Sequence, residues 1–333
     1  MQPSISVALC TYNGAEFLDE QLHSIAAQTW LPDELVIFDD GSSDDSVARA
    51  DQFAATAPFR VRIHRNPRNL GCTGNFGACI AACTGDIIAL SDQDDVWLPH
   101  KLERLASALG AEPGAAFAFS DALVVDPNLQ PLPYGLWQAM RFTPADLRLF
   151  QQRRGFEILL KQFAVTGATL AFRAHYRDIL LPIPRSWFHD AWIALILSGI
   201  AYGIPIEEPL IKYRQHSAQQ LGTRTYQRLR IAERLRKIYR RYFTPGPGQK
   251  EKFRGVVEAH LAAMRRFQEK AAGAEQAVKS LQEKVRHFER RIRIEDHGLQ
   301  RWPLIFGEVW AGNYSKYSAG WRHLAHDVFR AVN

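Results

Sequence analysis

The sequence predicts an α/β fold: an open sheet with helices on both faces, followed by a helical C-terminal part. Three observations predict it. Short apolar runs alternate with amphipathic stretches over residues 5–126, polar clusters follow the runs, and both periodicity and charge change past residue 222. The chain has 333 residues, 47% apolar and 23% charged, which excludes disordered and collagen-like classes. Its length suggests about two domains with ample material for a core.

The apolar runs at 5–10, 35–38, 61–64, 87–90 and 116–119 read as strands. Between them, 15–28, 45–56, 75–83 and 99–109 carry apolar residues at helical spacings of three and four. Open α/β sheets bind ligands beyond the carboxyl ends of their strands, where strand order reverses. Chemistry is therefore expected in Thr11-Tyr12-Asn13-Gly14, in Asp39-Asp40-Gly41-Ser42-Ser43-Asp44 and in Asp92-Gln93-Asp94-Asp95. Residues 127–165 are less regular, with Pro127, Pro131, Pro133 and Pro144, and lead into Thr166-Gly167-Ala168-Thr169.

Charge divides the chain at Gly222. Residues 1–222 hold 17 Lys and Arg against 24 Asp and Glu, a net −7, and residues 223–333 hold 24 against 11, a net +13. Two domains, 1–222 and 223–333, are the expected organisation. Past Tyr226 the pattern is helical, with a break at Thr244-Pro245-Gly246-Pro247-Gly248. Phe267, Ala271, Ala274, Val278, Leu281, Val285, Phe288 and Ile292 form an apolar seam in alternating four- and three-residue steps. The seam reads as a helical hairpin or coiled coil with the segment before Pro245; a homo-oligomer through it is the alternative.

Two basic clusters, Arg234-Arg236-Lys237-Arg240-Arg241 and Arg286-Arg290-Arg291-Arg293, read as solvated helix faces or as attraction to an anionic inner-membrane surface. Trp302, Phe306, Trp310, Tyr314, Tyr317 and Trp321 form an aromatic series suited to packing or to a membrane interface. Cys10, Cys72, Cys79 and Cys83 show no pair of metal-binding spacings and read as buried free thiols of a reducing compartment. The start of the chain carries no signal-peptide pattern, and the apolar run 191–206 is broken by Gly199, Gly203 and Pro205. A cytoplasmic protein, at most peripheral on the membrane, is expected.

Three carboxylates directly after a buried strand are costly unless a cation compensates them. A single aspartate would suffice to cap the following helix, so Asp92, Asp94 and Asp95 point to Mg²⁺ or Mn²⁺ bridging a diphosphate. Asp40 stands where it can accept hydrogen bonds from a nucleobase or a ribose, although its segment also reads as a turn and cap. Asn69 to Asn75 offers backbone and amide groups to the same ligand. Its glycines are spaced GxxGxxG, so a dinucleotide fingerprint is not supported.

Thr11-Tyr12-Asn13, Asp39-Asp40-Gly41-Ser42, Asn69-Leu70-Gly71, Ser91-Asp92-Gln93-Asp94-Asp95-Val96-Trp97, Thr166-Gly167-Ala168, His189-Asp190-Ala191-Trp192 and Tyr213-Arg214-Gln215-His216 occur in an order that resembles family 2 inverting glycosyltransferases. The resemblance covers residues 4 to about 222. It implies a GT-A fold, a Rossmann-like open mixed sheet, with an α-helical C-terminal domain appended. Asp-Gln-Asp-Asp-Val-Trp, Tyr-Arg-Gln-His and the stretch from Tyr314 to Arg322 look most like the rhamnosyltransferase-type subgroup of bacterial surface-polysaccharide biosynthesis. That implies transfer of a sugar, L-rhamnose in the finest reading, from a dTDP- or UDP-sugar to a glycan acceptor that is lipid-linked.

By the same resemblance, Asp40 meets the pyrimidine, Asp92 the ribose or sugar, and Asp94 the metal, with Asp95 either joining Asp94 there or binding the nucleotide sugar, since relatives align as DxD or as DD and leave open which of the three carboxylates is the ligand. His216 is a further metal or diphosphate ligand and Arg214 a phosphate contact, while Thr11, Asn13, Asn69, Gly71 and Asn75 surround the nucleotide. Asp190 is the expected general base, with Trp187, Phe188, Trp192 and Ile193 raising its pKa; capping of the helix 191–197 is its alternative role. Trp97, Gly167, His189 and Trp192 are assigned to the donor and acceptor pocket, whose shape departs from many relatives at Ala168. A nucleotidyltransferase would want a basic glycine-rich loop after the first strand, and residues 11–17 contain neither Lys nor Arg. A basic-helix scaffold or nucleic-acid protein leaves the carboxylate clusters unexplained, and the −7 domain would repel a phosphate backbone.

Overall fold

A computed structural model describes residues 2–216, 249–296, 301–318 and 320–329. The chain forms two compact units, Met1–Gly155 with Phe163–Thr225, and Phe156–Gln162 with Tyr226–Asn333. Phe156–Gln162, inside the span read as catalytic, thus groups with the helical unit. The linker expected past His216, the break at Pro245 and the Arg234 to Arg241 cluster lie outside the described residues.

The first unit carries a mixed sheet of β1 (Ile5–Thr11), β2 (Glu34–Asp39), β3 (Arg60–Arg65), β4 (Ile87–Ser91), β5 (Val96–Trp97), β6 (Ala115–Val125), β7 (Pro131–Gly135), β8 (Leu170–Arg173) and β9 (Tyr202–Arg214). The order is β3-β2-β1-β4-β8-β6-β9-β5, with β7 paired to β6. The first four strands are parallel; β8 is antiparallel to both β4 and β6. Every residue of β1 and β4 is buried, as expected of parallel strands covered on both faces. The crossovers α1 (Ala15–Ala26), α2 (Ser46–Ala54), α3 (Gly71–Ala82) and α4 (Lys101–Ala111) match the helices read from spacing, except that α3 begins at Gly71. Leu18, Leu22 and Ile25 of α1 and Leu102, Leu105 and Leu109 of α4 share one core with Val7, Leu9, Leu35, Ile37, Ile87 and Ala89. Strand order reverses at β1, flanked by β2 and β4, and open α/β sheets bind their ligands at such a reversal, here beyond Thr11 and Ser91.

The irregular stretch holds α5 (Leu136–Met140), α6 (Pro144–Gln151) and α7 (Gly155–Leu159). Thr143 caps α6 in a reciprocal box with Asp146, and Pro144 stands in its first turn. After β8 come α8 (Arg177–Leu180) and α9 (His189–Ile200), whose residues from Ala191 to Ser198 are all buried. The longest apolar run is therefore largely a core helix. Cys10, Cys79 and Cys83 are buried free thiols, whereas Cys72 is free but exposed, a correction to its expected burial.

The helical unit contains α10 (Gln249–Lys270), α11 (Glu275–Asp296), α12 (Trp302–Trp310), α13 (Asn313–Tyr317) and α14 (Trp321–Phe329). A helical hairpin forms within the seam itself; the segment before Pro245, expected as its partner, lies outside the described residues. Gly273 adopts φ +86°, a left-handed turn, so Phe267 stands on α10 while Leu281, Val285 and Phe288 stand on α11. Phe253 and Phe288 meet edge to face at 5.4 Å across the pair. Arg291 is fully buried and grips Asp327 with two hydrogen bonds of 2.7 and 2.9 Å; the Tyr314 hydroxyl donates to the same carboxylate at 2.8 Å. No described helix is long and apolar enough to cross a membrane.

Candidate active site

The loops after β1, β2 and β4 are stitched to one another. Thr11 Oγ1 donates to Asp39 Oδ1 at 2.9 Å, and the Gly41 and Ser42 N–H groups donate to Asp39 Oδ2 at 3.1 and 2.9 Å. Asn13 holds φ +47°, which asparagine tolerates; its N–H donates to Ser42 Oγ and its Oδ1 accepts from the Ser43 N–H. Gln93 crosses from the acidic loop, accepting from the Tyr12 N–H at 2.8 Å and donating to the Tyr12 carbonyl at 3.2 Å. Gly14 permits this approach, since a Cβ there would stand 2.2 Å from Gln93 Oε1.

Asp40 is buried. Its Oδ1 accepts from Asn66 Nδ2 and the Leu70 N–H, both at 2.8 Å, and its Oδ2 from the Gly71 N–H at 2.9 Å. Asn69 Nδ2 donates to the Asp40 carbonyl at 3.0 Å, and Gly71 takes φ +74° to enter α3. Asn75 donates to the Phe38 carbonyl and accepts from Asn66. In this geometry Asp40, Asn69 and Asn75 fasten the 66–71 turn to the end of β2. Asn75 is buried, with its oxygen and one amide N–H engaged inside the protein.

The acidic loop holds more negative charge than its surroundings solvate. Burial, with the Asp94 and Asp190 charges, pushes the Asp92 carboxyl up to about 7. Burial beside Asp94 and Asp92 also holds Asp95 well above the usual carboxylate range; its Oδ1 accepts from the Arg214 N–H at 3.0 Å, and its Oδ2 is buried without a hydrogen-bond partner. Beneath them Lys101, absent from the sequence reading, is fully buried, donates from Nζ to the Ala168 carbonyl at 2.6 Å and lies 3.6 Å from the Trp97 ring centroid. Its burial pulls the ammonium well below its ordinary value. A sequence signal existed: Lys101 falls on the same helical stripe as Leu105 and Leu109.

Opposite, His216 Nε2 lies 2.8 Å from Asp94 Oδ2, with its ring 4.8 Å from Phe17. Arg214 is 1% exposed: Nε donates to the Asp94 carbonyl at 2.7 Å, while the terminal nitrogens reach the Pro127 carbonyl and Glu20. The guanidinium expected at phosphate is thus engaged within the protein, bracing the loop.

At the start of α9, Asp190 Oδ2 accepts from the Gly167 N–H at 3.0 Å and Oδ1 from the Ala191 N–H at 2.7 Å. The cap position belongs to Phe188, so Asp190 sits inside the first turn. His189 is buried, stacks on Phe76 with centroids 3.8 Å apart, and is pulled below its ordinary pKa by burial. Its Nε2 lacks a hydrogen-bond partner and would stand 2.6 Å from a Cβ at Gly167. Trp97 and Trp192 need correction. Both are buried, Trp97 in the core beside α1 and Trp192 with Nε1 on the Leu180 carbonyl at 2.8 Å, so neither lines an open pocket.

The donor chemistry fits Mg²⁺ or Mn²⁺. A carboxylate and an imidazole face each other beside surplus, poorly solvated negative charge. Among the described residues no three His, Cys, Asp or Glu side chains converge as a complete cage. That suits a cation which takes one or two protein ligands and completes its shell with substrate phosphate oxygens and water.

An open mixed sheet with carboxylates gathered at its point of reversal is the GT-A arrangement. The chain matches the Glycosyl transferase family 2 model over residues 6–176, just over half its length, and belongs to that family. A glycosyltransferase of Nostoc sp., itself uncharacterised, is 43% identical over 101 residues, covering 30% of this chain and 31% of that protein. A Mycobacterium tuberculosis protein, also uncharacterised, is 30% identical over 238 residues, covering 67% of this chain and 70% of that one. The matches to the first three curated relatives span only about a third of their lengths. S. aureus TarS, crystallised with UDP-GlcNAc, shares the fold at 16% identity and a TM-score of 0.53, covering 98% of this chain and 91% of that chain.

Proposed function

We propose that the chain is an inverting glycosyltransferase that moves a sugar from a nucleoside diphosphate to an acceptor hydroxyl. The observation that carries this reading is the meeting of Asp94 with His216 at 2.8 Å, beside Asp92 and within electrostatic reach of Asp190. Asp94 and His216 would hold Mg²⁺ or Mn²⁺, which supplies positive charge to the departing diphosphate. Thr11, Asn13 and the turn of Asn69 and Gly71, set by Asp40, border the nucleotide; Asp92 faces the ribose or sugar. Asp95, Lys101 and Arg214 hold the acidic loop.

Asp190 is the general base. Two backbone N–H groups orient its carboxylate, so it can take the acceptor's hydroxyl proton as that oxygen bonds to the anomeric carbon. The bond from that carbon to the diphosphate breaks on the opposite face, and its electron pair leaves with the nucleotide. Residues 1–222 would carry this chemistry and 223–333 a helical appendage. The finer reading is a dTDP- or UDP-linked donor, L-rhamnose foremost, and a lipid-linked glycan acceptor in surface-polysaccharide synthesis; the motifs Asp92 to Trp97 and Tyr213 to His216 support it.

Calorimetry with UDP, dTDP and GDP, each with and without Mn²⁺, tests the proposal. A pyrimidine diphosphate should bind only with the cation, and Asp94→Ala should weaken that binding about tenfold or more. Cation-independent binding, or an unchanged Asp94→Ala, would overturn it.

A further inference from the structure

Helix α12 is inside out. Its one charged side chain, Glu308, is 0% exposed, met by His287 and Arg290 and by the Asn313 amide at 3.0 Å, and Ile305 is buried on the same helix. Its exposed positions are Pro303, Phe306, Gly307, Val309 and Trp310. Phe306 is 66%, Val309 44% and Trp310 94% exposed. Spacings of three and four put them on one face, and Trp302 extends the stripe with its ring 6.2 Å from that of Phe306. Tyr314 and Tyr317, from the same aromatic series, are buried, whereas Trp321 at its end is 71% exposed like Phe306 and Trp310. A contiguous apolar face of this kind marks an interaction site.

The charge around it selects the occupant. Arg290, which reaches Glu308, keeps 45% of its side chain exposed, and Lys316 is exposed on the next helix. Residues 249–329 hold 15 Lys and Arg against 10 Asp and Glu, a net +5. A second copy would bring like charges together, whereas an anionic bilayer offers opposite charge at its surface and an apolar layer beneath. Indole rings suit the boundary between the two. We propose that α12 lies in the headgroup layer of an anionic membrane, with Phe306 and Trp310 inserted and Arg290 and Lys316 at lipid phosphates. This goes beyond the transfer reaction and is read without any activity measurement.

The full chain is sedimented with phosphatidylglycerol vesicles and, separately, with phosphatidylcholine vesicles. Wild type should favour the anionic vesicles. The double variant Phe306→Ser/Trp310→Ser, at exposed positions, should keep the wild-type melting temperature and bind them about tenfold or more weakly. Lys316→Glu should weaken the same binding about fivefold or more. The proposal is overturned if wild type ignores anionic vesicles, or if the double variant binds them as well as wild type does. It is equally overturned if light scattering shows the substitutions dissociating a wild-type dimer while vesicle binding persists, which would make a second copy the occupant.

Discussion

Asp92 carries the negative charge that the fold is least able to solvate. With its carboxyl pushed up from 3.8 to about 7, the folded chain holds this proton more tightly than the unfolded chain does. The stabilisation is complete below the unfolded value and is lost as pH rises through about 7, so without divalent cation the melting temperature should fall between about pH 5 and about pH 8. Mn²⁺ with a bound nucleotide should flatten that slope, because the cation favours the ionised carboxylate; thermal scans across pH check both, and a flat cation-free profile would refute the assignment. Asp190 calls for a different readout, since its role lies in proton transfer. Asp190→Asn keeps an oxygen for the Gly167 N–H but removes the base, so turnover should fall by about 10²-fold or more while cation-dependent nucleotide affinity stays near wild type. Joint loss of turnover and affinity would make Asp190 a structural residue.

Arg214 shows how elements, more than single side chains, set the site. From the end of β9 it joins Glu20 of α1, the Pro127 carbonyl and the Asp94 carbonyl of the acidic loop. Arg214→Met should cost about 3 kcal/mol or more by leaving these acceptors unpaired, with nucleotide affinity falling because the acidic loop loosens. Melting and calorimetry together separate this from the phosphate contact read from sequence, which would lower affinity with the melting temperature unchanged. The strands β1, β2 and β4 and their loops were legible because buried apolar runs end abruptly in polar residues. By contrast β9 was hidden by Pro205 and Pro209, which argue against a strand, and its pairing with β6 shifts register around Asp121. The first turn of α3 was hidden by the poor helix propensity of Gly71 and Gly74. The burial of Trp97 and Trp192 was hidden for another reason: a motif match fixes a residue's place in the chain but not which way its ring points.

At the scale of the whole molecule, the division into an acidic and a basic part is visible in composition, but net charge does not say which charges face water. Arg291 belongs to a cluster that reads as a solvated or lipid-facing patch, yet it is buried, 4.3 Å from the Phe253 ring centroid and paired with Asp327. The pairing joins residues 36 apart in sequence, and no local spacing reveals it. Removing one member of such a pair leaves an uncompensated buried charge, while replacing both with apolar groups removes the desolvation cost as well. Asp327→Ala should therefore destabilise the helical unit by about 3–5 kcal/mol, and Arg291→Met/Asp327→Leu should recover most of that loss. Because Arg291 and Asp327 both belong to the second compact unit, calorimetry on the full chain should place the change in one transition and leave nucleotide affinity unaltered. A loss below about 1 kcal/mol in Asp327→Ala would mean that Arg291 reaches water once its partner is gone, and that the core of this unit depends on its Phe and Leu contacts alone.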